Sequence, residues 1–414
     1  MSRWSWILTR IVRKVWFRAV AISLASVALA ILVGVIAPWL PYEFGGEMGQ
    51  DSVGTILQIM ASSMLAVTTF SLSAMVSAYS SATQLATPRA TQLLMDDPTS
   101  QNALSTFLGA FVFSIVGIIG LQTGVYGHDG RIILFAATVL IVILVVVTLL
   151  RWIAHLTTFG RMADVIDRVE DAAAKAMARF AADPHLGGRP AVPIPPGATP
   201  VTGNRTGYVT HVDVPALGRI ALRASATIHV TVLPGSMVHP ARDLIRIEGK
   251  VDDGTRDDLL DAFTIERHRS FDQDHRLGLI ALSEIASRAL APATNDPGTA
   301  IEVLNALLRV LLHLPATDPD ARDHAERPPV HVARTTIDDL LTDAFRPILR
   351  EGGGQTEVTM RLTGTLAALH AALPGARPSI RRLADQSAAR ARRTMEDADD
   401  LAAFEANHAR GWPA

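Results

Sequence analysis

Hydrophobic positions crowd the start of the chain into four long runs: Phe17 to Trp39, Val53 to Tyr79, Ala103 to Tyr126 and Ile132 to Trp152. None carries a charge in its middle. A helix needs about 20 apolar residues to cross the hydrocarbon layer, so each run predicts a membrane span. Beyond residue 160 the apolar positions recur at helical or alternating spacing between charges, which is the pattern of a soluble fold. The expected fold class is a membrane all-α four-helix bundle plus a soluble α+β domain, in which a small β unit is followed by helices.

The soluble part divides by composition. After the four-span domain (1–160), residues 161–186 predict a helical extension of the fourth span, apolar at Val165, Val169, Ala173, Ala176 and Phe180. Residues 187–206 form a Pro/Gly linker with Pro190, Pro193, Pro195, Pro196 and Pro200, expected to be extended. A small β unit follows over 207–250: Tyr208–Asp213 and Thr227–Val232 alternate, Pro234-Gly235 marks a turn, and a short helix fits between Pro215 and Arg223. This layout resembles half of a lipoyl-type β-sandwich, but no lysine stands at the turn that such carriers modify, so no cofactor is expected. Residues 251–350 read as an α-rich domain with an added strand at Val330–Ala333, and 351–414 as C-terminal helices, the last over Ser379–Asn407. Asp252 and Asp253 lack the alternating ligand pattern of a calcium loop and read as a turn before a helix. Two further helix starts stand between spans two and three, Thr87-Pro88 and Asp97-Pro98. Gly352, Gly353 and Gly354 read as a helix stop.

Charge orients this plan. Arg3, Arg10, Arg13, Lys14 and Arg18 precede the first span, and Arg89, Arg151, Arg161 and Arg168 flank the others, whereas Glu43, Glu47 and Asp51 lie between spans one and two. The positive-inside rule then places both termini in the cytoplasm, with Trp4, Trp6, Trp16 and Trp39 at the interfaces. The first run is too long for a cleaved signal and reads as a retained anchor. A net charge of −2 over 414 residues gives no field favouring nucleic acid. The absence of cysteine excludes disulfides, thiolate metal sites and a cysteine nucleophile.

Candidate chemistry lies in two places. In the second span Ser62, Thr69, Ser73, Ser77, Ser80 and Gln84 are spaced to share one helical face. Such a stripe meets protein or water more readily than lipid, so it reads either as a helix-packing seam or as the lining of a polar pathway in an oligomer. In the soluble part the densest polar run is Glu266 to Arg276, with Arg267, His268, Arg269, Asp272, Asp274 and His275, followed by Arg288, Asn295 and Asp296. It reads as a salt-bridged junction or as a pocket for an ion or small-molecule ligand. Asp296 fits the cap of a helix with Pro297 at its first position. Deep in the spans there is no ionisable residue, which argues against a proton-driven transporter. No nucleophile elbow, metal-spaced His/Glu motif or phosphate-binding glycine loop stands in the chain. An enzyme is therefore not expected, and no catalytic residue, cofactor or metal ligand is assigned.

Three stretches together carry a family resemblance: the second span with its extension from Gln84 to Asp97, the β unit Tyr208–Ile247 around Pro234-Gly235, and Arg269 to Ala300. The last holds Gln273-Asp274, Arg288-Ala289-Leu290-Ala291-Pro292 and Asn295-Asp296-Pro297. They resemble the bacterial predicted membrane proteins grouped as domain of unknown function 2254, over most of the chain. Ala291 stands where that family carries serine. The resemblance implies a multi-pass protein of the bacterial inner membrane and transfers no functional residues. The expectation is an oligomeric channel or permeation pathway lined by the second span and regulated by its cytoplasmic domain, with a membrane-anchored sensor or scaffold as the alternative. The lipid bilayer and further copies of the chain are the expected partners.

Overall fold

A computed structural model describes residues 15–36, 50–85, 87–95, 97–124, 126, 128–316 and 326–412. The basic start before residue 15, Trp4, Trp6, Trp39, Glu43 and Glu47 lie outside the described residues, as do the side chains of Trp16 and Asp51. The described residues fall into two compact units, one within 15–85 and 91–164, the other comprising 87–90 and 165–412.

The first unit is helical: α1 (Val15–Ile36), α2 (Gln50–Leu85), most of the short α3 (Pro88–Met95), α4 (Pro98–Gln122) and α5 (His128–Leu156). Three stretches are long and apolar enough to cross a membrane, Ser52–Thr83, Pro98–Gln122 and Gly130–Leu156; α1 contributes a shorter apolar stretch, Phe17–Leu32. Four crossings are thus a finer statement than these lengths carry. Helix α4 is central. It packs along α1 and α2 and touches α5, around a core that includes Leu57, Phe107, Phe113 and Leu134. Close approach is built in at Gly117, where a side chain would press on the tip of Leu57 and touch Leu134. Helix starts follow local chemistry: the Ala90 amide donates to Thr87 Oγ1, and the Ser100 amide to Asp97 Oδ2 at 2.7 Å.

Helix α6 (Met162–Ala182) is separate from α5. Here the expectation of a continuous extension is corrected. The α5 helix stops at Leu156, and Gly160 at φ +77° turns the chain before α6 begins. A left-handed residue cannot continue a right-handed helix.

The β unit takes in more chain than its alternation shows. The strands are β1 (Arg189–Pro190), β2 (Thr199–Thr202), β3 (Gly207–Val212), β4 (Thr227–Val230), β5 (Met237–Val238), β6 (Asp243–Glu248), β7 (Phe263–Glu266) and β8 (Val330–Val332), with α7 (Val214–Ala224) after β3 and α8 (Asp253–Asp261) after β6. Five form one sheet in the order β1-β8-β4-β6-β2, and three form another, β5-β3-β7. The Pro/Gly linker is therefore not only a linker: its two ends are edge strands, β1 parallel to β8 and β2 antiparallel to β6. Proline is tolerated there because an edge leaves its missing N–H unneeded. Val209, Ile228, Val230, Ile245, Val330 and Val332 are among the residues that fill the core between the sheets and α7.

Helices α9 (His275–Ala289), α10 (Pro297–Leu311), α11 (Ile337–Gly352), α12 (Thr356–Ala372), α13 (Arg377–Thr394) and α14 (Ala398–Gly411) complete the second unit. Helix α9 packs on α10 and α11, and α12 on α10, α13 and α14. The single last helix expected over Ser379–Asn407 is two, because Met395 is extended and Asp397 caps a new start by accepting the amides of Asp399 and Asp400. Gly278 on α9 lets α6 approach; a side chain there would collide with Ala173.

Candidate functional site

The hydroxyl face of α2 has a definite direction. Ser62, Thr69, Ser73, Ser77 and Ser80 are all exposed in the single chain. Val53, Leu57, Met60, Met64, Ser71, Met75 and Ala82 are buried. At about 100° per residue, the two sets lie on opposite sides of the helix. The stripe thus points away from the chain's own packing. Three of its hydroxyls bond back to their own helix: Ser62 Oγ donates to the carbonyls of Gln58 and Ile59, Thr69 Oγ1 to Leu65 at 3.0 Å, and Ser73 Oγ to Thr69 at 3.0 Å. Leu65, Phe70, Leu72 and Val76 border it and are exposed as well. The exposed Thr55 and Gln58 continue the stripe upstream. The same spacing, carried back past Ala61, identifies them in the sequence. Gln84 belongs to the last turn of α2, and its side chain lies outside the described residues.

The charged run in the second unit is built into a junction. Asp274 caps α9, accepting the amides of Arg276 and Leu277, and is 1% exposed. Arg269 closes on it as a fork, Nε to Oδ2 at 2.6 Å and NH2 to Oδ1 at 2.9 Å. The Pro234-Gly235 turn presses on this pair: Gly235 sits at φ +91°, and a side chain there would strike Asp274. Gln273 Oε1 accepts the Val212 amide of β3, and the Asp272 carbonyl accepts Arg179 of α6. Arg276 forks onto Asp343 of α11 at 2.6 and 3.1 Å. His275 is buried, bonds Thr335 Oγ1 through Nε2 at 2.8 Å and stacks on Phe180 with ring centroids 3.9 Å apart. Burial first, then the charges of Arg276 and Arg269, push this imidazole down to about 3. It is therefore a neutral structural ring at neutral pH. Arg267 and His268 are exposed.

Arg288, Asn295 and Asp296 lie apart from this junction in the chain. Arg288 is exposed in the last turn of α9. Asn295 occupies the left-handed region at φ +46° and accepts Gln355 Nε2 at 3.2 Å. Asp296 caps α10 by accepting the Thr299 amide and hydroxyl, and those bonds hold its carboxyl below the usual range. Arg89 pairs with Glu284 of α9 within the second unit. No group of three or more His, Asp or Glu among the described residues is placed to hold a metal ion.

One pair escapes sequence reading. Asp97, 3% exposed, accepts His155 Nε2 at 3.0 Å in addition to the Ser100 amide and hydroxyl. Trp152 and Phe159 pack on the imidazole, and Tyr79 on Phe159. The sequence shows Asp97 as a cap, but nothing local marks a partner so distant in the chain.

A family described as predicted membrane protein (DUF2254) matches residues 12–368. Uncharacterized proteins of Mycobacterium bovis and Mycobacterium tuberculosis are each 33% identical over 144 residues, 32% of this chain and 27% of theirs. The match thus spans about a quarter of the length of these relatives. No solved structure matches.

Proposed function

The chain belongs to the domain of unknown function 2254 family of predicted membrane proteins, and from that premise we propose an oligomeric channel or permeation pathway of the bacterial inner membrane. In this reading the chain crosses the bilayer four times with both termini cytoplasmic, several copies surround a shared axis, α2 lines it, and the second unit regulates passage. The observation that carries the reading is the direction of the α2 stripe. A lipid-facing surface gains nothing from hydroxyls or from Gln58, whereas a wetted axis or a helix contact between copies uses them. The missing intramembrane charges favour passive permeation over pumping.

The experiment is ion flux into liposomes containing the purified chain. Thr69→Leu and Ser73→Leu should cut flux at least several-fold by drying the axis; flux unaffected by both removes α2 from the lining. A membrane-anchored sensor or scaffold is the second reading. It is favoured by the size of the second unit, which has its own sheet core and helical layer, and it predicts no flux from any variant.

A further inference from the structure

The joint between α13 and α14 contains nothing that must stop a helix. Thr394-Met395-Glu396-Asp397-Ala398 holds no glycine or proline, and its spacing alone runs one helix from Ser379 to Asn407. The chain turns there all the same: Met395 is extended at ψ 118° and Asp397 at ψ 130°. Local pattern and fold disagree at this joint, and such a disagreement marks an element with two accessible forms.

The charges fit both forms. In the bent form Arg392 and Arg393 lie in the last turn of α13, and Asp399 and Asp400 in the first turn of α14, where the helix dipoles favour them. Asp397 caps α14 by accepting the amides of Asp399 and Asp400. A continuous helix gives up that cap, but its ladder then runs unbroken through the joint. Arg392 and Arg393 also come to face Glu396 and Asp397, four residues on. What holds the bend is therefore the seat of α14 rather than the joint.

That seat is shallow. Within α14 only Phe404 is buried. It joins Ala388, Ala391 and Met395 of α13 in a small cluster, with Leu401 beside it. Trp412 meets His370 of α12 edge-on, ring centroids 5.0 Å apart. The fork between Arg392 and Glu405 is 50% and 42% exposed, and pairs so exposed add little. Thr363 of α12, 2% exposed, lies next to Gly411. At about 100° per residue, a continuous helix would carry Phe404 to the side opposite Ala388 and Ala391. Straightening thus lifts Leu401, Phe404 and Trp412 off the groove and shows them as one stripe, since 401, 404, 408 and 412 share a helical face. The surface that fits this stripe already exists: it is the same groove on another copy.

We propose that α14 is an exchange arm: in a pair of chains, each α13 and α14 straighten into one helix and seat Leu401, Phe404 and Trp412 on the α12–α13 groove of the other. Exchange of an identical element closes as a two-fold pair, and a joint of only three residues favours exchange. The contact is separate from the α2 stripe and stands whether or not α2 lines a pathway.

The chain has no cysteine, so introduced thiols report the exchange cleanly. Full-length Thr363→Cys and Gly411→Cys chains, differently tagged, are co-expressed in one membrane, extracted in detergent and oxidised. Residue 363 is covered by α14, so an arm carrying residue 411 is what reaches it. Exchange should give the mixed covalent dimer several-fold above either like-with-like dimer. No mixed dimer, while a chain carrying both thiols closes the bond within itself, overturns the proposal. Ala398→Pro fits the bent form, because position 398 opens α14 and Asp397 before it is already extended; proline does not fit inside a continuous helix. It should cut the mixed dimer at least five-fold and leave the internal bond in place, whereas Asp397→Ala, which removes the cap, should raise the mixed dimer. A mixed dimer unmoved by Ala398→Pro overturns exchange through a single helix. Should Thr363→Cys fail to fold, deuterium uptake of the unaltered chain decides. The amides of Glu396 and Asp397 join a helical ladder in the continuous form, so their uptake should slow as protein concentration rises. Uptake independent of concentration overturns the proposal.

Discussion

The two units bury carboxylates to the same depth and satisfy them with different chemistry. In the C-terminal unit Asp274 is held by a guanidinium fork and two backbone amides. In the membrane unit Asp97 is held by one backbone amide, one hydroxyl and an imidazole. The surroundings account for the choice. Arg269 keeps a sixth of its side chain exposed, so its charge stays partly hydrated while its fork reaches inward. A guanidinium beside hydrocarbon is expensive, and here an imidazole, a hydroxyl and an amide bond the carboxylate. The same contrast runs through each unit: forks such as Arg276–Asp343 on one side, serine and threonine hydroxyls turned back on their helices on the other.

The largest test of this contrast is Asp274→Ala. It leaves the largely enclosed Arg269 without its counter-charge and strips the cap from α9, so the C-terminal unit should lose about 3–5 kcal/mol. Limited proteolysis of the full chain across a denaturant series reads this directly. A loss below about 1 kcal/mol would mean that the fork is ornamental, and the contrast between the units would fail.

His275 gives the next effect, and its sign follows from its depressed pKa. Its contribution is fully present above about pH 6.5, where folded and unfolded chains are both neutral at this ring. It declines as pH falls, because the unfolded chain takes up a proton that the folded chain refuses until about pH 3. Between pH 7.5 and pH 5 the loss is about 2 kcal/mol. His275→Phe keeps a ring against Phe180 and should flatten that part of the stability profile. An unchanged slope would place the acid sensitivity elsewhere.

How much of this was readable beforehand depends on the range of the interaction. Thr87-Pro88, Asp97-Pro98 and Asp296-Pro297 are visible as helix starts because a cap uses amides only two or three residues away. The β7 strand is hidden at the head of a charged run, and β1 and β2 are hidden in a proline-rich stretch. Each is a strand only because a distant partner pairs with it: β8 brings Val330–Val332 between β1 and β4. In the charged cluster the residue types were legible but their engagements were not. Gly235 against Asp274 and Arg276 against Asp343 join elements that no spacing connects. The α2 stripe was legible as a face. Its direction was not, because amphipathic spacing says which residues share a side without saying what that side meets.

The smallest expected effect tests that direction. Ser73 Oγ bonds only to the Thr69 carbonyl of its own helix and points outward, so in an isolated chain Ser73→Ala should move stability by less than about 0.5 kcal/mol. Ser105→Ala, one helix away and inward, removes the same atoms from a different setting. If copies meet along α2, Ser73→Ala should leave the unfolding midpoint alone at detergent dilutions that separate the copies and shift it where they assemble. A shift that persists in separated copies would mean that the hydroxyl is engaged within the chain, and the outward stripe would lose its claim to either a pathway or a contact between copies.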